Sequence, residues 1–269
     1  MSNLTDLISA GGAASFPTIF LSKSQTWVPP QDGNIMIHVI GAGGSGAAYN
    51  NDSATSGAAG GYCRKNSLAV TTSGSFTVVV GAGGASVQNS SGTTGGNTTV
   101  AGTGLSSTLT ANGGARGLEN STGTSAGGTA SGGDVNNTGG GGGHELGGGA
   151  VGLTGTGNAG TRLNSTNIKG GDCDVMGDLW SSSLGQIAGG RGGDGAFVFN
   201  SVGLGTSDLN AKPLGGGGTV YAESVANSTT SAGHASIGGG GGTCINKQSG
   251  SYQTSGRGGE GLVVIQYIP

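Results

Sequence analysis

Residues 34–46 read Asn-Ile-Met-Ile-His-Val-Ile-Gly-Ala-Gly-Gly-Ser-Gly. The first half is an apolar run rich in β-branched side chains, which suit a pleated strand. It lacks a polar alternation, so it reads as a central strand covered on both faces. The second half turns abruptly to glycine. A matching apolar run, Leu262-Val-Val-Ile-Gln-Tyr-Ile268, follows Gly261 at the far end of the chain. Two ordinary strands therefore bracket a glycine-rich middle.

That middle dominates the composition. Of 269 residues 65 are glycine, and only Gly11, Gly12 and Gly33 precede residue 41. The glycines do not recur every third residue and prolines number five, which excludes collagen. Three cysteines at low density exclude a disulfide scaffold. Ten Lys+Arg against thirteen Asp+Glu, with no basic run, argue against nucleic-acid binding. No apolar run approaches the roughly 18 residues a membrane span needs. The N-terminus lacks a basic stretch followed by an apolar one, so no signal peptide is expected. Each ordered glycine costs about 0.5–1 kcal/mol more backbone entropy than alanine. Disordered chains usually carry high charge, and charged residues are 9 % here. The glycine is therefore expected to be structural.

Further strands are expected at Tyr62–Val70 and Ser75–Val80, joined as a hairpin through the turn cluster Thr71–Gly74. Short ones are expected at Ala196–Phe199 and Thr219–Ala222. A helical period is hinted at only over 4–10 and 176–184. Between the strands run polyglycine clusters at 139–143, 215–218 and 238–242. Such chain can adopt an extended left-handed helix with three residues per turn and no internal hydrogen bonds. Its peptide groups must then bond to neighbours. Without side chains, neighbours can approach closely enough to do so. The expected fold is all-β: a small β-sandwich formed by both chain ends, a glycine-rich body of polyglycine II-like helices, and almost no α-helix. Residues 1–24 would be an N-terminal anchor or tail. Residues 25–269 would be a single domain, with a β-part near 25–110 plus 255–269 and a body near 111–254.

The order of pieces carries a resemblance. Gln25-Thr-Trp-Val-Pro-Pro30 leads into the strand ending at Gly41-Ala-Gly-Gly-Ser-Gly46. Gly60-Gly-Tyr-Cys-Arg-Lys65 and Phe76-Thr-Val-Val-Val-Gly-Ala-Gly-Gly84 follow, and Arg257-Gly-Gly-Glu-Gly-Leu-Val-Val-Ile265 closes the chain. This resembles the glycine-rich domain of bacteriophage tail-fibre and virion proteins over roughly residues 25–269. The body is more loosely similar to the tip adhesins of T-even-type long tail fibres, whose polyglycine II loops contact host outer-membrane proteins. The resemblance implies a virion structural protein of tail-fibre or appendage type that contributes to host-surface attachment. A capsid decoration or head-fibre protein is the alternative, and a polysaccharide depolymerase the second.

Individual motifs point to little chemistry. Gly41–Gly46 matches G-x-G-x-x-G after a strand, but the dinucleotide fingerprint also needs a helix and a distant acidic residue. Gly189–Phe197 resembles one calcium-binding nonapeptide, yet such sites need stacked repeats. Asp172, Asp174 and Asp178 could hold a cation or serve glycoside hydrolysis; a polar loop with turn-capping aspartates is the plainer reading. Cys63, Cys173 and Cys244 lie too far apart in sequence for a zinc motif. His38, His144 and His234 pair with no nucleophile by spacing. The expectation is a non-enzyme, with no catalytic residue, cofactor or metal.

The non-glycine islands are more informative. Trp180, Tyr221 and Tyr252 could project from a rigid scaffold as receptor or interface contacts; the plainer reading has Trp180 and Tyr221 filling a small core. Leu4, Leu7 and Ile8 could anchor the subunit to another virion protein. Expected partners are other virion proteins and a host-surface receptor, protein or glycan, with no nucleic acid and no membrane insertion. A homo-oligomer is expected, a trimer being usual for fibres, in a virion assembled in the host cytoplasm.

Overall fold

The structure, a computed structural model, describes residues 17–50, 53–144, 146–164, 167–175, 177–182, 185–189, 196–198, 211, 214–217, 220–222, 229–246 and 252–269. Among them the fold is all-β. Two five-stranded antiparallel sheets lead. The first runs β1 (Thr18–Leu21), β22 (Leu262–Ile268), β3 (Gly33–Ile40), β5 (Tyr62–Val70), β11 (Val135–Asn137). The second runs β10 (Ala130–Ser131), β8 (Leu109–Ala111), β7 (Thr98–Gly102), β6 (Phe76–Val79), β2 (Gln25–Trp27).

The sheets pack face to face. Ile35, Ile37, Val39, Val263 and Ile265 from the first meet Trp27, Phe76, Val78, Val100 and Leu109 from the second in one buried cluster. The Trp27 and Phe76 rings lie 5.4 Å apart, a tilted pair. The alternate residues of β3 and β22, namely Ile40, Leu262 and Val264, face the other way. They are buried with Val151, Leu153, Cys173 and Leu214, which come from the glycine body. That is why these two strands are apolar on both faces: one side meets a sheet and the other meets the body.

Three expectations need correction. The strand β1 begins within the stretch expected to be an anchor or tail, and it pairs with β22, so the fold reaches back to Thr18. β5 and β6 do not form a hairpin. The Thr71–Gly74 turn exists, with Gly74 N donating to Thr71 O at 2.8 Å. It carries the chain from one sheet to the other, because Leu68 and Val70 and then Phe76 and Val78 must all reach the same core from opposite sides. Residues 177–182, within the stretch where the sequence hints at a helical period, are strand β15 (Gly177–Ser182), paired with β16 (Gly185–Gly189).

Outside the sheets the chain runs back and forth in short extended segments bonded by their backbones. In 41–48, Gly41, Gly44 and Ala47 donate to Gly61, Ala58 and Thr55. Ala42, Ser45 and Ala48 donate to Gly96, Thr93 and Ser90, and Gly43 and Gly46 donate to Gly259 and Gly256. The donors thus turn to three different neighbours in rotation, and each neighbour is read backwards in steps of three. Segment 54–61 does the same: Thr55, Ala58 and Gly61 donate to Leu118, Ala115 and Asn112, Ser56 and Ala59 to Gly143 and Gly140, Gly57 and Gly60 to Gly241 and Gly238. Every residue of 41–48 and 54–61 is buried. On the outside burial itself has the period of three: Ala111, Gly114 and Gly117 are buried, and in 255–261 only Arg257 and Glu260 are exposed. Sandwich and lattice therefore interleave along the chain, which replaces the division expected near residue 111.

Close approach fixes the glycines. A Cβ on Gly57 would fall on the carbonyl oxygen of Gly44, and one on Gly258 on that of Gly43. The interior of this lattice is largely main chain, close-packed with only small side chains such as Ala42, Ser45, Ser56 and Ala58 buried in it.

Candidate interaction pole of the glycine lattice

The hydrogen-bond register gives the lattice two ends. Segments leave the sandwich at Gly41, Gly81, Asn112 and Thr138 and return to it at Gly61, Asn97, Thr129 and Gly261. At the far end the chain reverses. There Ala48 bridges Ser90, Ala54 bridges Glu119, Thr55 bridges His144 and Gln88 bridges Thr254. Ser121 N donates to Ser53 O at 3.3 Å, and Glu119 N to Ser91 Oγ at 3.1 Å. The far pole thus gathers residues scattered along the whole sequence.

Further strands extend toward this pole. β4 (Ala48–Tyr49), β20 (Cys244–Asn246), β18 (Val220–Ala222) and β17 (Ala196–Val198) form a parallel sheet. Ala196, Val220 and Cys244 stand in one register row at a sequence spacing of 24 residues (196, 220, 244). The next row is Phe197, Tyr221, Ile245 and Tyr49. β19 (Thr229–Ser231) pairs in parallel with β21 (Tyr252–Thr254). Two small antiparallel pairs complete the body: β9 (Thr124–Ser125) with β12 (Gly142–Gly143), and β13 (Thr161–Asn164) with β14 (Asn167–Lys169).

The three expected contact aromatics fall on different elements. Trp180 is in β15, opposite Ile187. Tyr221 is in β18, between Phe197 and Ile245. Tyr252 is in β21, opposite Thr229. The register does not bring them together. It instead places Tyr221 in a row with Tyr49 and Ile245, of which Ile245 is fully buried and Tyr49 packs on Ala47, Ala54 and Ile245. Tyr49 and Ile245 were not singled out by sequence reasoning; the 24-residue spacing of 197, 221 and 245 was a signal that could have found Ile245, but not Tyr49. Leu4, Leu7 and Ile8 lie outside the described residues.

Two of the motifs with chemical overtones, Gly41–Gly46 and Asp174, meet backbone partners. Gly41–Gly46 is followed by chain that bonds on into the lattice, and its amides are spent on neighbours. Residues 190–195 of the nonapeptide lie outside the described residues. Asp174 accepts from Leu153 N at 2.8 Å, Thr154 N at 2.7 Å and Thr154 Oγ1 at 2.8 Å, with Gly155 N at 3.3 Å. Burial alone would raise its pKa, but these donors hold it below the ordinary carboxylate value. It caps a turn. Asp172 O accepts from Asn158 Nδ2 at 2.9 Å.

Cys63, Cys173 and Cys244 are buried free thiols. Burial pushes Cys63 and Cys173 up to about 11. Cys63 Sγ donates to Ser131 O at 3.3 Å. His38, in the middle of β3, bonds through Nδ1 to Tyr62 Oη at 2.7 Å and through Nε2 to Gln266 Oε1 at 2.9 Å. Gln266 Oε1 only accepts, so Nε2 carries the proton and Nδ1 accepts from the tyrosine hydroxyl. Burial, with help from the Arg64 charge and against the Gln266 hydrogen bond, lowers His38 to about 4. His234 Nδ1 accepts from Arg257 N at 3.0 Å. Arg257 and Glu260, three residues apart, pair at 3.1 Å on the surface. Among the described residues no group of three or more His, Cys, Asp or Glu is placed to hold a metal ion.

Comparison with known proteins gives one family. A model described as a glycine-rich domain matches residues 20–268. No curated protein matches the chain.

Proposed function

The chain belongs to the glycine-rich domain family, and from that premise we propose that it is a structural protein of a bacteriophage virion, of tail-fibre or appendage type, whose far pole contributes to host-surface attachment. The body is then an array of polyglycine II helices. The rotation of donors through three neighbours supports this, since a three-residue turn aims one peptide in three at each neighbour.

One observation carries the functional reading. The fold invests its length in a backbone lattice with the sandwich at one end and the chain reversals joined by the isolated bridges at the other. A lattice without mobile side chains is a stiff support, and residues at its far pole are held in fixed positions, as recognition loops on a rigid scaffold are. Pro17 and Tyr267 meet on the sandwich, where Tyr267 N donates to Pro17 O at 3.0 Å. The sandwich is thus the end by which the subunit would be held, with Leu4, Leu7 and Ile8 as its anchor on a neighbouring virion protein. Trp180, Tyr221 and Tyr252 are the proposed contacts to a host receptor or to sister subunits of a homo-oligomer, with a trimer as the form. No catalytic role is assigned to the chain.

The test is binding and localisation together. The purified protein should bind host cells and compete with infection by the particle. Labelled antibodies should decorate the tail. Decoration of the head without competition would replace the reading with a capsid decoration protein.

A further inference from the structure

We propose that the flank of the lattice carries a sugar-binding site, in which the Arg257–Glu260 pair stands between two clefts and takes the neighbouring hydroxyls of a neutral pyranose ring. Segment 255–261 runs along the surface between two others. On one side Gly258 N donates to Gly84 O at 2.8 Å, and on the other Ala235 N donates to Arg257 O at 3.0 Å. Within 255–261 only Arg257 and Glu260 are exposed. The positions around them have no room for side chains. A Cβ on Gly258 would fall on the carbonyl of Gly43, one on Gly259 on that of Ser236, and one on Gly83 on that of Gly258. Two charged side chains therefore rise from a floor of main chain, and a hollow stays open on each side of them. One cleft, of about 270 Å³, is lined by Gly83, Gly84, Ala85 and Ser86 together with the pair. The other, of about 220 Å³, is lined by Ala235, Ser236, Ile237 and Gly259 together with the pair.

The pair is held in place from both sides. Glu260 Oε2 accepts from Gly83 N at 2.9 Å, and Oε1 accepts from Arg257 Nη2 at 3.1 Å. The backbone N–H of Arg257 donates to His234 Nδ1 at 3.0 Å. An exposed ion pair adds little to stability, so its worth here lies in what it offers to the two hollows. The donor set names the ligand class. The pair is neutral as a unit, which favours neither an anion nor a cation. Ile237 is the one large apolar residue on either lining, which disfavours an apolar ligand. Arg257 has N–H donors beyond the one given to Glu260, and each Glu260 oxygen keeps a lone pair. A ligand that donates and accepts from adjacent atoms satisfies both through charge-assisted hydrogen bonds, and neighbouring hydroxyls on a sugar ring do this. The C–H face of the ring then rests on Ala85 in one cleft or Ile237 in the other. Both hollows fall short of the roughly 300 Å³ at which clefts for drug-sized ligands begin. Each therefore takes one ring, and a longer glycan would cross the pair from one cleft to the other. This assignment rests on the clefts and not on the virion reading.

The test titrates the full chain at pH 7 with the methyl glycosides of glucose, galactose, mannose and N-acetylglucosamine. It reads saturation transfer to each sugar and the amide shifts of Gly83 and Gly259. At least one glycoside should bind with a Kd on the order of 1 mM, as suits so small a ligand, and should move both amides. Arg257→Ala and Glu260→Ala should each weaken that binding about tenfold or more. Both side chains are half-exposed, so the melting temperatures of these variants should hardly change. Arg116→Ala, at another exposed position of the lattice, should leave binding as it was. Binding of none of the four sugars overturns the proposal, as do amide shifts confined to residues away from the two clefts or binding that survives Arg257→Ala. Sodium phosphate moving the Gly83 amide where no sugar does would make the site one for anions and overturns it equally.

Discussion

The amide of Gly43 donates to the carbonyl of Gly259 at 2.8 Å, tying the first lattice segment directly to the last. The contact leaves no space for a methyl group. A Cβ on Gly43 would fall on the carbonyl oxygen of Gly239. Gly43→Ala and Gly57→Ala should each destabilise the protein by about 3 kcal/mol or more, because backbone cannot step aside as a side chain can. Gly155 has nothing within 4 Å of a Cβ. Gly155→Ala should be neutral or stabilising by up to about 1 kcal/mol, through the unfolded chain. Urea midpoints of the three variants check this, and equal losses at all three would contradict the lattice.

The acid response should be set first by His38. Its folded-state pKa, about 4, lies below its ordinary 6.5. Between those values the unfolded chain binds the proton and the folded one does not. Stability is therefore complete above pH 6.5, falls as pH drops through that window, and stops falling on this account below pH 4. The loss is on the order of 3 kcal/mol. His234, also lowered by burial and by Arg257, adds in the same direction. Denaturant midpoints measured from pH 7 to pH 4 should slope for the native chain, and His38→Gln should flatten most of that slope.

Leu214 sits at φ +67° and is fully buried against Ile40 and Val264. Its side chain fills the joint between body and sandwich, which holds it in a backbone region costing about 1–3 kcal/mol. Leu214→Ala should lose about 2–5 kcal/mol, since the cavity opens while the strain stays. Leu214→Gly should be less damaging than Leu214→Ala, reversing the usual order. Thermal midpoints of the two variants decide it.

Asp174→Asn should lower stability by about 1–3 kcal/mol, because an amide cannot accept all the hydrogen bonds that the carboxylate takes from Leu153, Thr154 and Gly155. Calorimetric melting at pH 7 reads the change directly.

The three thiols should be silent in the folded protein. All are buried, and Cys63 and Cys173 are pushed up to about 11. An aromatic disulfide reagent should label none of them on the minute timescale and all three in denaturant.

Much of the sandwich was legible in the sequence. Ile35–Ile40 and Leu262–Ile265 announce central strands, since burial on both faces leaves no polar alternation to mislead. The crossing from β5 to β6 was not, because a Thr-Thr-Ser-Gly turn looks the same whether it closes a hairpin or rounds a sandwich corner. β1 was missed because four residues carry too little pattern. The glycine body was legible as a composition, but not as a register. Which carbonyl Gly44 approaches depends on a residue elsewhere in the chain, and glycine has no side chain to record the pairing. Trp180, Tyr221 and Tyr252 were visible as islands. Their separation onto different strands depends on the same unwritten register, and so does the company Tyr221 keeps with Tyr49 and Ile245.

The rotation of donors through three neighbours imposes something like a reading frame on the polypeptide. Inserting one residue inside 54–61 would move every later donor of that segment onto the wrong neighbour. Inserting three would restore the phase and merely lengthen the rod. Descendants of this chain should therefore gain and lose length within their segments in triplets of amino acids, while the reversals between segments change length freely.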